Sequence, residues 1–229
     1  MGKRIIQRAR GKGGPRYRAP SHRYKGKIKY GFEKAKVIDI IHDPGRDAPL
    51  AKLKVNEKEI FIIAAEGLKV GDFININGEA KIGNVLSLSK IPKGSYIFAI
   101  ENYPGSGPKL CCSPGTSSLI ISQEADKVIV QMPSKEFKTL NPKCLATIGK
   151  PAGGGRSLKP FIKAGQKFFA MKARNRLWPR TSGVKMNPVD HPFGGSTKPG
   201  IPMTVSRHSS PGSKVGSVSA RRTGRKKKK

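Results

Sequence analysis

Leu50-Ala51-Lys52-Leu53-Lys54-Val55, followed closely by Ile60-Phe61-Ile62-Ile63, is the stretch that decides the fold. Leu53 and Val55 alternate with lysine, the period of a half-buried strand, and the second run is short, β-branched and aromatic. Upstream, Val37-Ile38-Asp39-Ile40-Ile41 is closed by the turn residues Asp43-Pro44-Gly45. Downstream, Asp72-Phe73-Ile74-Asn75-Ile76 meets the hairpin signal Asn77-Gly78, and Val85-Leu86-Ser87-Leu88 with Ile91 completes a first set. A second set follows Pro92-Lys93-Gly94: Tyr96 to Ile100, Ser118 to Ile121, Lys127 to Met132 and Cys144 to Ile148. Short strands at this spacing, with no helical periods between them, predict two small β-barrels rather than a parallel sheet. Each would hold ~50–60 residues, near the lower limit of an independent core.

Charge divides the chain differently. Its 229 residues carry 46 Lys+Arg against 14 Asp+Glu, a formal charge of +32. Residues 1–36 hold +12, residues 37–133 hold −1 and residues 134–229 hold +21. A near-neutral β region therefore sits between two strongly basic extensions. A chain so charged repels itself, and a polyanion is the expected partner. The glycine- and proline-rich flanks offer little apolar surface against an ordering cost of ~1–2 kcal/mol per residue, so they are expected to take shape on phosphate. One helix is expected there, with Phe161, Ala164, Phe168 and Met171 on one face and Lys163, Lys167 and Arg174 opposite. Packing on a barrel and facing RNA are both open to it. The tail Arg221 to Lys229 reads as a localisation signal, a phosphate anchor or an unstructured end.

Other classes are disfavoured. No apolar run nears the ~18 residues of a membrane span, no secretory leader is expected, and Ile6 breaks the myristoylation pattern. Membrane partners are not expected, and the composition suits a soluble intracellular protein. Cys111 and Cys112 are adjacent, Cys144 is remote and the four histidines are scattered, so neither a zinc site nor a disulfide framework is predicted. Gly153-Gly154-Gly155-Arg156-Ser157 lacks the phosphate-loop pattern; its glycines either form a bare loop or let backbone N–H groups approach an RNA phosphate. Asp190-His191, held between Pro188 and Pro192, offers one imidazole for general-base work. Neighbouring side chains on extended backbone point apart, however, so Asp190 cannot simply orient His191.

RNA is preferred over DNA, because irregular basic extensions suit the interior of a folded RNA better than a major groove. Tyr17, Tyr24, Tyr30, Phe168, Phe169 and Trp178 stand among the basic residues, where they could stack on bases or pack on a barrel. A sequence-neutral DNA compaction protein is the alternative that composition alone permits.

Met186 to Gly195 (MNPVDHPFGG), with Trp178-Pro179-Arg180 before it, closely resembles the motif of the second universal large-subunit ribosomal protein family. Ile40 to Arg46, Ala48 to Lys52, Ala64 to Gly67, Ile82 to Leu86, Ala152 to Arg156 and Ala220 to Arg225 resemble its archaeal and eukaryotic branch. The absence of a long tail after Lys229 points to the archaeal side. The resemblance covers essentially the whole chain. Departures are Lys185, where a small residue is usual, and Ser196, where a third glycine is common.

The resemblance implies a basic arm (1–36), an OB-like barrel (37–91), an SH3-like barrel (92–155) and a basic C-terminal extension (156–229) carrying the motif loop 186–195. It implies a ribonucleoprotein role in translation in the cytoplasm: a structural constituent of the large subunit and primary rRNA-binding protein near the peptidyl-transferase region, supporting subunit association, tRNA binding and peptide-bond formation. Large-subunit rRNA and neighbouring large-subunit proteins are the implied partners, with small-subunit rRNA contact left open. No cofactor is expected, Mg2+ entering only through rRNA. The expected RNA-binding residues are Arg4, Arg8, Arg10, Arg16, Arg18, Arg23, Lys25, Arg156, Arg174, Arg176, Arg180, Lys185, Asn187 and His191. A catalytic part has been suggested for the family histidine, here His191. Phe193 replaces the second histidine of the bacterial form, which removes the partner for a dyad and argues against an enzyme.

Overall fold

The computed structural model describes residues 3–56, 58–196, 203–210 and 213–220. It is mainly β and divides into two compact units, one of Pro20–Gln166 and the other of Met1–Ala19 with Lys167–Lys229.

The first unit holds both β regions. Strands β1 (Lys34–Ile41), β2 (Leu50–Val55), β3 (Lys58–Ile63) and β4 (Phe73–Asn75) form an antiparallel OB-like sheet in the order β3-β2-β1-β4. The alternation read in the sequence sets its faces: Ala35, Val37, Leu53, Ile62 and Ile74 are buried, while Lys34, Lys36 and Lys54 are exposed. A bulge between Val37 and Asp39 shifts the register of β1 against β2. The loop after β1 is organised by Asp43, a fully buried carboxylate. It accepts from the backbone N–H groups of Lys25 (3.3 Å) and Gly45 (3.2 Å) and is paired with the Arg46 guanidinium. A buried charge needs this degree of pairing to persist.

Residues 20–36 do not behave as an arm. Ile28 bridges to Phe61, Phe32 is buried in the first core, and the Tyr30 hydroxyl donates to the Ala99 carbonyl at 2.7 Å. Burial pushes the Tyr30 phenol pKa well up, opposed by its hydrogen bond to Thr147 Oγ1. The apolar residues Ile28, Tyr30 and Phe32 alternate with Lys27, Lys29 and Gly31, so this segment carries a strand period that the charge count conceals. Tyr24 packs its ring against Gly45. Of the aromatic residues considered for base stacking, Tyr30 is therefore committed to protein.

The second, SH3-like sheet has the order β11-β10-β9-β6-β12-β5. Its strands are β5 (Val85–Ser87), β6 (Tyr96–Phe98), β9 (Ser118–Gln123), β10 (Val128–Gln131), β11 (Phe137–Leu140) and β12 (Leu145–Ile148), and a hairpin of β7 (Ile100–Glu101) and β8 (Pro108–Leu110) lies beside it. The sequence grouped Val85 to Ile91 with the first set, but β5 hydrogen-bonds to β12. Period 2 explains the result: Val85 enters the first core and Leu86 the second, so one strand stitches the two together. Cys111, Cys112 and Cys144 are free thiols. Burial, reinforced by Cys111, pushes Cys112 up to about 11, which keeps it a protonated thiol at neutral pH.

The other unit carries most of the extensions. It contains α1 (Ile6–Gly11), the greater part of α2 (Ala164–Ala173) and a two-residue parallel pair, β13 (Thr204–Val205) with β14 (Ser217–Val218). Among its described residues, Val215 and His191 alone are buried. The scarcity of apolar burial follows the composition. What the sequence did not disclose is that the two extensions bind each other. Lys3 N–H donates to the Val189 carbonyl (2.8 Å), and the Asn175 side-chain amide donates to the carbonyls of Pro15 (2.8 Å) and Arg18 (2.9 Å). Helix α2 buries none of its residues, and Phe168 and Phe169 stand 42% and 67% exposed.

Candidate nucleic-acid interface

The motif loop 186–195 is built from backbone hydrogen bonds and two glycines. Asn187 O accepts from Asp190 N (3.0 Å) and His191 N (3.2 Å), His191 O accepts from Gly194 N (2.9 Å), and Met186 O accepts from Gly195 N (3.3 Å). These bonds fold the chain back on itself so tightly that a Cβ on Gly194 would collide with the backbone of Asn187 and Met186. Gly183 has the same requirement for another reason, because a Cβ there would strike the His191 ring. Gly194 and Gly183 are thus shape-determining residues that a search for charged groups passes over.

His191 is the keystone of the loop, 9% exposed. Its Nδ1 accepts from the Phe193 N–H at 3.0 Å, and the two rings meet edge-on with centroids 5.0 Å apart. Accepting at Nδ1 places the proton of the neutral imidazole on Nε2. The Nδ1 lone pair is thus engaged within the loop. Asp190 does not orient the ring; its carboxylate pairs with Lys3 Nζ at 3.1 Å. The backbone here is a turn rather than the extended run expected, and the partner of Asp190 comes from the opposite end of the sequence. Among the described residues there is no cluster of three or more His, Cys, Asp or Glu able to hold a metal ion.

Around this loop the arm and the C-terminal extension line shared concavities. One of about 250 Å³ is bordered by Lys3, Arg8, Val189 and His191. Another of about 240 Å³ is bordered by Arg16, Phe168, Arg176 and Trp178, with Lys167 Nζ 5.4 Å from the Trp178 ring centroid. Arg4, Arg10, Arg18, Arg180, Lys185 and Asn187 are exposed in the same unit, and Arg174 is partly buried. Arg18 Nε donates to the Gly13 carbonyl (2.6 Å) and so shapes the arm itself.

Arg23, Lys25 and Arg156 belong to the barrel unit and are exposed. Arg156 is engaged by Asp47 at 2.9 Å. The glycines before it serve protein packing: Gly154 Cα lies where a Cβ on Gly115 would stand, and Gly153 lies against Pro49 and Pro114. Gly155 is open on that measure, so only part of the triplet is free to approach a ligand backbone. The basic tail 221–229 lies outside the described residues.

This arrangement can hold a polyanion. Cations are displayed on segments fixed by backbone hydrogen bonds, with exposed aromatic rings beside them, and no described helix is long and apolar enough to cross a membrane.

Comparison with known proteins agrees with the geometry. Residues 2–76 match the family described as Ribosomal Proteins L2, RNA binding N-terminal domain, and residues 81–216 match Ribosomal Proteins L2, C-terminal domain. Large ribosomal subunit protein uL2 of Methanothermobacter thermautotrophicus is 50% identical over 241 residues, covering 99% of this chain and 100% of that protein. The proteins of the same name from Methanococcus aeolicus and Methanosphaerula palustris are 49% and 50% identical, covering 99% and 100% of this chain and 100% of their own lengths. With both domains present in order and full-length archaeal relatives at this level of identity, the chain belongs to the ribosomal protein L2 family, in its archaeal branch.

Proposed function

We propose that this chain is a structural constituent of the large ribosomal subunit in the cytoplasm. It binds large-subunit rRNA near the peptidyl-transferase region, beside neighbouring large-subunit proteins, and supports subunit association and tRNA binding without chemical participation. The observation that carries this reading is the second compact unit. It displays Arg4, Arg8, Arg10, Arg16, Arg18, Arg176, Arg180 and Lys185 while burying almost no apolar side chain. Such a surface gains its stability from neutralisation by phosphate rather than from a core. Mg2+ enters as a counterion of the RNA.

Folded rRNA should therefore be preferred over duplex DNA, whose grooves these irregular segments do not fit. Competition binding in ~0.15 M salt should show large-subunit rRNA fragments displacing the chain from duplex DNA of equal length by at least ~100-fold. Equal affinity for the two would instead indicate a compaction protein.

Its hydrogen bond from the Phe193 N–H and its contact with the Phe193 ring support reading His191 as a packing residue of the loop. Particles assembled with His191→Gln should form peptide bonds in single turnover within a few-fold of the wild-type rate. A loss of ~10²-fold or more in fully assembled particles, the scale of a missing general base, would contradict this.

A further inference from the structure

We infer that the adjacent cysteines Cys111 and Cys112 form a vicinal-dithiol site for a trivalent arsenical, independent of RNA. Both residues directly follow β8, where Cys111 turns the chain out of the strand at φ +52°. Neighbours on an extended strand point to opposite faces. Here both side chains pack instead against one apolar cluster, which includes Leu50, Ile63, Phe98 and Ala99. The turn is pinned by Ala99 N, which donates to the Cys111 carbonyl (3.2 Å). Cys111 Sγ and Ser118 Oγ share a hydrogen bond of 3.0 Å, and Cys112 Sγ donates to the Leu110 carbonyl at 3.5 Å. Each of these thiols is half-buried, held in place yet open to a reagent, whereas Cys144 is fully buried.

The ligand class follows from the geometry of the pair. A disulfide places its two Cα atoms ~4.4–6.8 Å apart, but adjacent residues across a trans peptide, as here, are only ~3.8 Å apart. The ring such a bond would close contains the planar peptide itself and is strained. Inserting one larger atom between the sulfurs enlarges the ring and relieves that strain. Trivalent arsenic does this without redox change: R–As(OH)2 and two thiols give R–As(S–Cys)2 and two waters. Two As–S bonds form, two As–O and two S–H bonds break, and each thiol proton leaves on a hydroxide. Proton balance separates this ligand from a divalent metal ion. Burial, then the neighbouring Cys111, pushes the Cys112 thiol up to about 11, and burial also raises Cys111 against its hydrogen bond to Ser118. A divalent cation must expel both protons into solvent against these shifts, whereas the arsenical carries them off as water. Arg46 and Lys109 act on Cys112 in the opposite direction, favouring the transient thiolate that attacks arsenic.

The test uses the reduced full chain and phenylarsine oxide, which hydrates to the dihydroxy form. Intact-mass analysis should show a single arsenical per chain, and titration of free thiols should fall from three to one. The adduct should survive excess glutathione and be reversed by 2,3-dimercaptopropanol, because a chelated arsenic is released only by a competing dithiol. Cys111→Ser and Cys112→Ser should each weaken retention roughly 100-fold or more, since each leaves a single attachment. Cys144→Ser should change it less than about 3-fold. Serine keeps a polar γ atom for the Ser118 and Leu110 contacts, and coincident melting curves verify that the variants fold. Absence of an adduct, or loss of only one thiol per arsenical, would overturn the site on the unmodified chain alone. Retention by Cys111→Ser equal to that of the unmodified chain would overturn it too, as would an adduct that requires Cys144.

Discussion

Replacing Glu101 by Gln should destabilise the barrel unit by about 3 kcal/mol, read as a shift of its urea midpoint with an unchanged slope. Glu101 Oε1 accepts from Gly107 N, and Oε2 accepts from Gly105 N and Leu145 N, all within 3.2 Å. Glutamine keeps one oxygen and puts an NH2 group where the other accepted, so donors face donors in a site that is 2% exposed. Each unsatisfied buried N–H costs about 1–3 kcal/mol, which is large against a total stability of ~5–15 kcal/mol. Glu101→Ala should be at least as damaging, because it removes every acceptor and leaves a cavity. A change below about 1 kcal/mol for both would show that water satisfies these groups and that the loop is not held as described.

The second large effect concerns affinity. Converting Arg4, Arg8, Arg10, Arg16 and Arg18 to Gln should weaken rRNA binding roughly 10³-fold in 0.15 M salt and flatten the salt slope by about 4. The barrels should melt almost unchanged, because none of these residues belongs to either β core. Filter binding beside thermal unfolding separates the two readouts. An affinity loss under about 10-fold would transfer the binding role to the barrels and the C-terminal extension.

The parts of this molecule that were legible beforehand are those governed by local periodicity. Leu53 and Val55, Ile62, Ile74 and the runs of the second set lie in strands because alternate positions must be buried. Ile28, Tyr30 and Phe32 obey the same rule, but their lysine neighbours made the segment look like part of a basic arm. Val85 and Leu86 could not be placed from local pattern, since adjacent residues of one strand serve different cores. The interface was legible as composition and motif, not as geometry. The hydrogen bonds from Asn175 to Pro15 and Arg18 join residues about 160 apart, and a chain read locally contains no signal for them. Glu101 was invisible for a related reason: a lone carboxylate in a strand looks like surface until the three N–H groups it serves are assembled around it. Gly183 and Gly194 carry no charge or pattern that singles them out, yet their lack of Cβ is what allows His191 and the loop backbone to close.

The salt dependence of binding tests the central claim most directly. If about ten basic side chains neutralise phosphates, log affinity for large-subunit rRNA should fall against log salt with a slope of roughly −7 to −9. A slope near −2, the signature of only a few phosphate contacts, would contradict it.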